Sequence, residues 1–168
     1  MKRFWHKAVM ASILAFGPVA AVHAADDDAE AGAVIVLPLQ LVNVSDLEFG
    51  AMLSGGAPGT VVINAYTDAR TTTGGVTPVG AGGQAAQFWT YGGPLQFVRV
   101  NRGPLPVLDR VGGGASMNVS QLTLNGPVNR FLTSAGLLDL RVGGTLQVGA
   151  NQQPGLYEGE FTIIVTYF

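Results

Sequence analysis

From residue 33 onward the chain alternates apolar and polar positions in short runs, and no long segment keeps a helical period. Residues 33–44 (AVIVLPLQLVNV) are β-branched and apolar, with Leu37, Leu39 and Leu41 on one face. Pro38 within that run predicts an edge position or a break, because proline donates nothing to a strand ladder. Residues 59–65 read as a strand with Val61 and Ile63 on one side, and residues 85–91 as a strand holding Phe88 and Trp89. Residues 95–101 set Leu95, Phe97 and Arg99 against Gln96, Val98 and Val100. Residues 115–124 and 144–149 complete the middle of the pattern, and residues 155–168 form the longest expected strand. Residues 129–140 have room for one helical turn at most.

Runs of two or three glycines separate these segments, at positions 55–56, 74–75, 82–83, 92–93 and 112–114, and are expected to make tight turns. Many short strands with regular turn signals predict a single all-β domain over residues 33–168, an immunoglobulin-like antiparallel sandwich.

The first 32 residues differ. Lys2, Arg3 and Lys7 precede an apolar run at 8–16, then Gly17-Pro18, then Val22-His23-Ala24. That order is expected of a secretory signal peptide over residues 1–24, cut after Ala24. Residues 25–32 (ADDDAEAG) are expected to be an acidic, flexible terminus.

Composition then removes chemistry. The chain has no cysteine, and its two lysines and both histidines lie before the expected cut. Residues 25–168 hold six arginines against eleven acids, a net charge of −5. Without Cys, His or Lys there is no thiolate, imidazole or Schiff-base chemistry and no Cys/His zinc site. The acidic balance argues against nucleic acid as a partner. No later stretch is long and apolar enough for a membrane-spanning helix. The expectation is a protein that is not an enzyme and carries neither cofactor nor metal. Glu158 and Glu160, two apart on one expected strand face, keep a carboxylate hydrolase in view, with a solvated face as the commoner meaning. Phe88, Trp89 and Tyr91 are the aromatic cluster that offers a sugar ring a stacking surface, although such clusters more often pack in a core. Asp68 and Arg70 read as a surface pair of little energetic weight.

The last fourteen residues, GLYEGEFTIIVTYF, are the most informative. Phe161, Ile163, Val165 and Tyr167 occupy alternate positions, against Glu158, Glu160, Thr162, Ile164 and Thr166 on the other face. Tyr167 is penultimate, and Gly155 is fourteenth from the end, counting Phe168 as the first. This combination resembles the last strand of chaperone–usher pilins. Residues 142–168 and 38–50 resemble the two ends of a pilin-like domain family of unknown function from secreted Gram-negative proteins, itself similar to spore coat U domains. Archaic pilins often carry a disulfide, which is lacking here.

The resemblance implies an incomplete sandwich with one strand missing. It implies that Gly155, Phe161, Ile163, Val165, Tyr167 and Phe168 form the strand that meets a periplasmic chaperone and then a neighbouring subunit. It further implies a donor segment carrying Ile35, Leu37, Leu39 and Leu41, residues that also serve the first domain strand. The expected function is an exported structural subunit of a surface fibre or envelope assembly, at the periplasm, cell surface or outside the cell. The alternative is a self-complete secreted binding module for glycan or a surface partner. A last strand with alternating apolar residues also occurs in complete sandwiches, and Gly155 after Pro154 also reads as an ordinary turn.

Overall fold

The computed structural model describes residues 30–168, so the expected leader (1–24) and the first acidic residues (25–29) lie outside the described residues. Residues 35–168 form one compact unit. It is all-β, with antiparallel pairing throughout, an immunoglobulin-like sandwich as the pattern of short runs predicts.

The larger sheet is organised by β9 (Leu137–Val148), whose alternating Leu140, Val142, Leu146 and Val148 are all buried. One side of β9 pairs first with β4 (Ala86–Tyr91) and then with β2 (Met52–Ile63). The handover falls at Gly143 and Gly144. A Cβ at Gly143 would lie 2.7 Å from the Ala65 nitrogen and collide with the Ile63 carbonyl, so only glycine admits the backbone there. The other side of β9 pairs with β7 (Ser116–Leu124), followed by β6 (Val107–Arg110) and the two-residue β10 (Tyr157–Glu158). β3 (Arg70–Pro78) pairs with β2, and β1 (Gln40–Ser45) with β4. The second sheet has three strands in the order β11 (Ile163–Tyr167), β5 (Phe97–Arg102), β8 (Asn129–Phe131). The core between the sheets joins Val61, Ile63, Val100, Val119, Leu122, Leu140, Val142, Leu146 and Ile163.

Several expectations are corrected. The strand expected over 155–168 is broken: β10 joins β6 in one sheet and β11 joins β5 in the other. Gly159 sits at the break, where a Cβ would meet the Val107 carbonyl and approach Leu108 to 2.8 Å. Glu158 and Glu160 therefore do not share a strand face, since Glu160 lies in the connection. Gly155 lies outside any strand, against the Arg110 side chain, which donates to the Pro154 carbonyl at 2.8 Å. The pairs Gly55-Gly56 and Gly74-Gly75 lie inside β2 and β3 rather than in turns. Gly55, Gly56 and Gly75 lie within the register shift between Ser54 and Gly59, and a Cβ at Gly55 would sit 2.8 Å from the Gly75 carbonyl. Residues 129–140 hold β8 and the start of β9, with no helix. The run 33–44 forms a strand only from Gln40, which is the break that Pro38 predicts, and that strand is an edge of its sheet as expected. Arg70 does not pair with Asp68; it donates to the carbonyls of Ala51 (3.1 Å) and Gly80 (2.7 Å).

Candidate strand-docking site

β11 owes its place to its alternation. Ile163 is buried, and Phe161, Val165 and Tyr167 are partly buried, while Ile164, Thr166 and Phe168 are exposed. The Phe161 ring packs edge-on against Phe88 of β4, with centroids 6.2 Å apart. At the other end the Tyr167 hydroxyl accepts a hydrogen bond from the Gly93 N–H at 2.9 Å, just beyond β4. β11 thus lies across from β4.

β5 pairs with β11 along one side only. The Phe168 N–H donates to the Phe97 carbonyl, and the Gly103 N–H to the Thr162 carbonyl. These two bonds set the parity of the ladder: even-numbered residues of β11 bond to β5. The N–H and C=O groups of Ile163, Val165 and Tyr167 point the other way. No strand pairs with them among the described residues. The same three residues send their side chains inward. A free main-chain edge and an apolar face therefore belong to one short segment.

Arg102 of β5 reaches the Leu122 carbonyl of β7, which fixes β5 on the β9–β7 side. The free side of β11 therefore faces the β1 side. Leu41 and Asn43 of β1 are in register with Thr90 and Phe88, so they share the inward face of β4. No strand of the smaller sheet lies opposite β1 among the described residues. Its residues are exposed on both faces: Leu41 by 36%, Val42 by 47% and Val44 by 53%. An apolar edge strand bare on both faces is unusual, because proteins normally blunt or cover such edges. At the Phe161 end the gap widens into a cavity of about 390 Å³. Leu47, Phe49, Phe88, Leu108, Val119 and Phe161 line it, with Asn43, Asp46 and Glu160 as polar walls.

The residues of the expected donor segment are divided. Leu39 is half-buried, with Leu39, Leu132 and Tyr167 all converging on Gly92, and Leu41 belongs to β1. Ile35 is 98% exposed and Leu37 60%, and they precede any strand. The Tyr167 hydroxyl donates to the Leu37 carbonyl at 2.5 Å. Of the last-strand residues, Phe161, Ile163, Val165 and Tyr167 share the inward face. Phe168 turns outward onto Phe97 (5.5 Å), which also contacts Phe131 (4.7 Å). Of the aromatic cluster, Phe88 faces inward, whereas Trp89 and Tyr91 lie on the other face of β4.

Sequence reasoning missed two features. The Tyr167–Leu37 bond joins residues 130 positions apart, and no local signal announces it. Asp68 pairs with Arg141, 73 positions away, and also accepts from the Ala85 N–H at 2.8 Å. The Arg141 guanidinium, then the Ala85 hydrogen bond, hold the Asp68 carboxyl below the ordinary aspartate range. Among the described residues no cluster of three His, Cys, Asp or Glu is arranged to hold a metal.

A family model matches residues 39–167, from the leucine at Gly92 to the tyrosine that meets it there. The chain belongs to the family of the domain of unknown function DUF4402. No curated protein and no solved structure matches it. In this DUF4402 domain the free edge of β11 and the bare face of β1 are the most distinctive surface.

Proposed function

We propose that this DUF4402 protein is an exported structural subunit of a surface fibre or envelope assembly. In this reading its sandwich is completed by a strand from another chain, first a periplasmic chaperone and then a neighbouring subunit. The observation that carries the reading is the edge of β11, unpaired among the described residues, on the side of the exposed strand β1. It offers three outward-facing main-chain residues, Ile163, Val165 and Tyr167, and apolar side chains on both strands. Strand addition at an open sheet edge draws affinity from main-chain hydrogen bonds and register from alternate side chains.

The exposed residues Val34, Ile35, Val36 and Leu37 are the strand the chain has to give. They are apolar and mostly β-branched, and they precede the family match. Covering one such side chain contributes roughly 1.5–3 kcal/mol. Contacts of this head-to-tail kind do not close on themselves and generate filaments. The likeness of the last strand to chaperone–usher pilins supports the same reading.

The test is light scattering of the exported chain over a concentration series, with and without excess synthetic peptide of residues 31–39. Concentration-dependent oligomers that excess peptide converts to monomers are expected. A monomer at all concentrations that ignores the peptide overturns the proposal.

A further inference from the structure

We infer that occupation of the β11 edge and anchoring of the chain's own segment 37–39 are coupled through Tyr167. This rests on the strand-docking reading above and adds a regulation of that site. Tyr167 is the one residue of β11 that faces both places. Its main chain lies at the free edge, opposite the side paired to β5. Its side chain donates to the Leu37 carbonyl and accepts from the Gly93 N–H.

The grip is built around the glycine at 92. A Cβ there would lie 2.7 Å from the Tyr167 hydroxyl and 2.8 Å from both Leu39 and Leu132. Glycine therefore lets three side chains converge on one point. This convergence marks the boundary between the packed domain and the exposed run: Leu39 is half-buried, whereas Leu37 is 60% and Ile35 98% exposed.

A strand paired on one side opens locally at lower free energy than one paired on both. When the last residues of β11 open, the Tyr167 hydroxyl leaves the Leu37 carbonyl and the root of the segment is released. An added strand bonds the N–H and C=O of Tyr167 and closes that opening, so the hydroxyl stays on Leu37. Filling a subunit's acceptor edge thereby fixes the root of the strand it offers. By linkage, fixing the root strengthens binding at the edge by the same factor. In a growing string, each subunit orders its own segment after its edge has been filled, which gives assembly a direction.

The experiment uses the full exported chain, labelled with 15N, and the unlabelled peptide of residues 31–39. Amide exchange at Ile163, Val165 and Tyr167 reports binding at the edge. Backbone order parameters at Leu37 and Leu39 report the grip. Peptide is expected to slow exchange at the three edge amides and to raise the order parameters at Leu37 and Leu39. Tyr167→Phe, which keeps the ring and removes the hydroxyl, should bind peptide with at least about fivefold lower affinity and lose the second effect. Leu39→Ala, which loosens the same grip from its other partner, should weaken peptide binding in the same direction. Edge protection without any change at Leu37 and Leu39, or an unchanged response in Tyr167→Phe, overturns the coupling and leaves the strand-docking reading standing. No protection at the three edge amides overturns both.

Discussion

Asp68 adopts a left-handed backbone, φ 59°, a conformation that aspartate and asparagine tolerate better than most residues. It bonds the Ala85 N–H and pairs with Arg141, and its side chain is 39% exposed. Screening keeps such a pair to roughly 0.2–1 kcal/mol. Because the folded carboxyl titrates below its unfolded value, its contribution is complete above the unfolded value and is lost as pH falls through the folded one. Asp68→Asn keeps the backbone and the Ala85 bond but removes the charge. Its stability deficit against the parent, read by urea unfolding, is expected to be constant near neutral pH and to shrink below about pH 4. Thr90 gives the opposite sign. It is fully buried, and its hydroxyl has no partner among the described residues. Thr90→Val replaces that hydroxyl with a methyl of similar size. Relief of the desolvation cost is expected to raise stability by about 1 kcal/mol, measured by the same unfolding curves.

At the scale of elements, β9 is the strand on which the larger sheet depends, because β4, β2 and β7 all pair with it. Its weak point is the Gly143 handover. Gly143→Ala would force the backbone away from Ile63 and Ala65, and an overpacking cost of about 1–3 kcal/mol or more is expected as a lowered unfolding midpoint. Strand positions were largely legible in the sequence. Val98 and Val100 alternate with Phe97 and Arg99 as expected, and both valines are fully buried. Glycine was the misleading signal. At Gly55 and Gly75, expected to lie in turns, it marks a close approach of two backbones within a sheet, as it also does at Gly143. The break at Gly159 was hidden for the same reason, since its cause is the carbonyl of Val107, far earlier in the chain.

At the scale of the whole molecule, the spare main-chain groups of β11 are those of its odd-numbered residues, which have no strand partner among the described residues. The Val165 N–H points to the free edge, and the Ile164 N–H belongs to the β5 side. Val165→Pro should leave the β5 ladder intact, since proline is tolerated where no ladder donor is lost. It should fold, with far-ultraviolet circular dichroism close to the parent's, and fail to bind the peptide of residues 31–39. Ile164→Pro removes a ladder donor and should lower the unfolding midpoint. Peptide binding by Val165→Pro at parental affinity would place the partner elsewhere than this edge.

By itself the amino-acid pattern determined that this chain is all-β, where most of its strands run, and which face of its last strand turns inward. Period-two alternation and residue type are local properties, and burial of one face is their direct consequence. Only the tertiary structure decided that residues 155–168 split between two sheets, that β11 keeps one edge free and β1 stays uncovered among the described residues, and that Tyr167 holds Leu37. Each depends on a neighbour far along the chain, because strand pairing and close backbone contact are made in space between residues with no local relation.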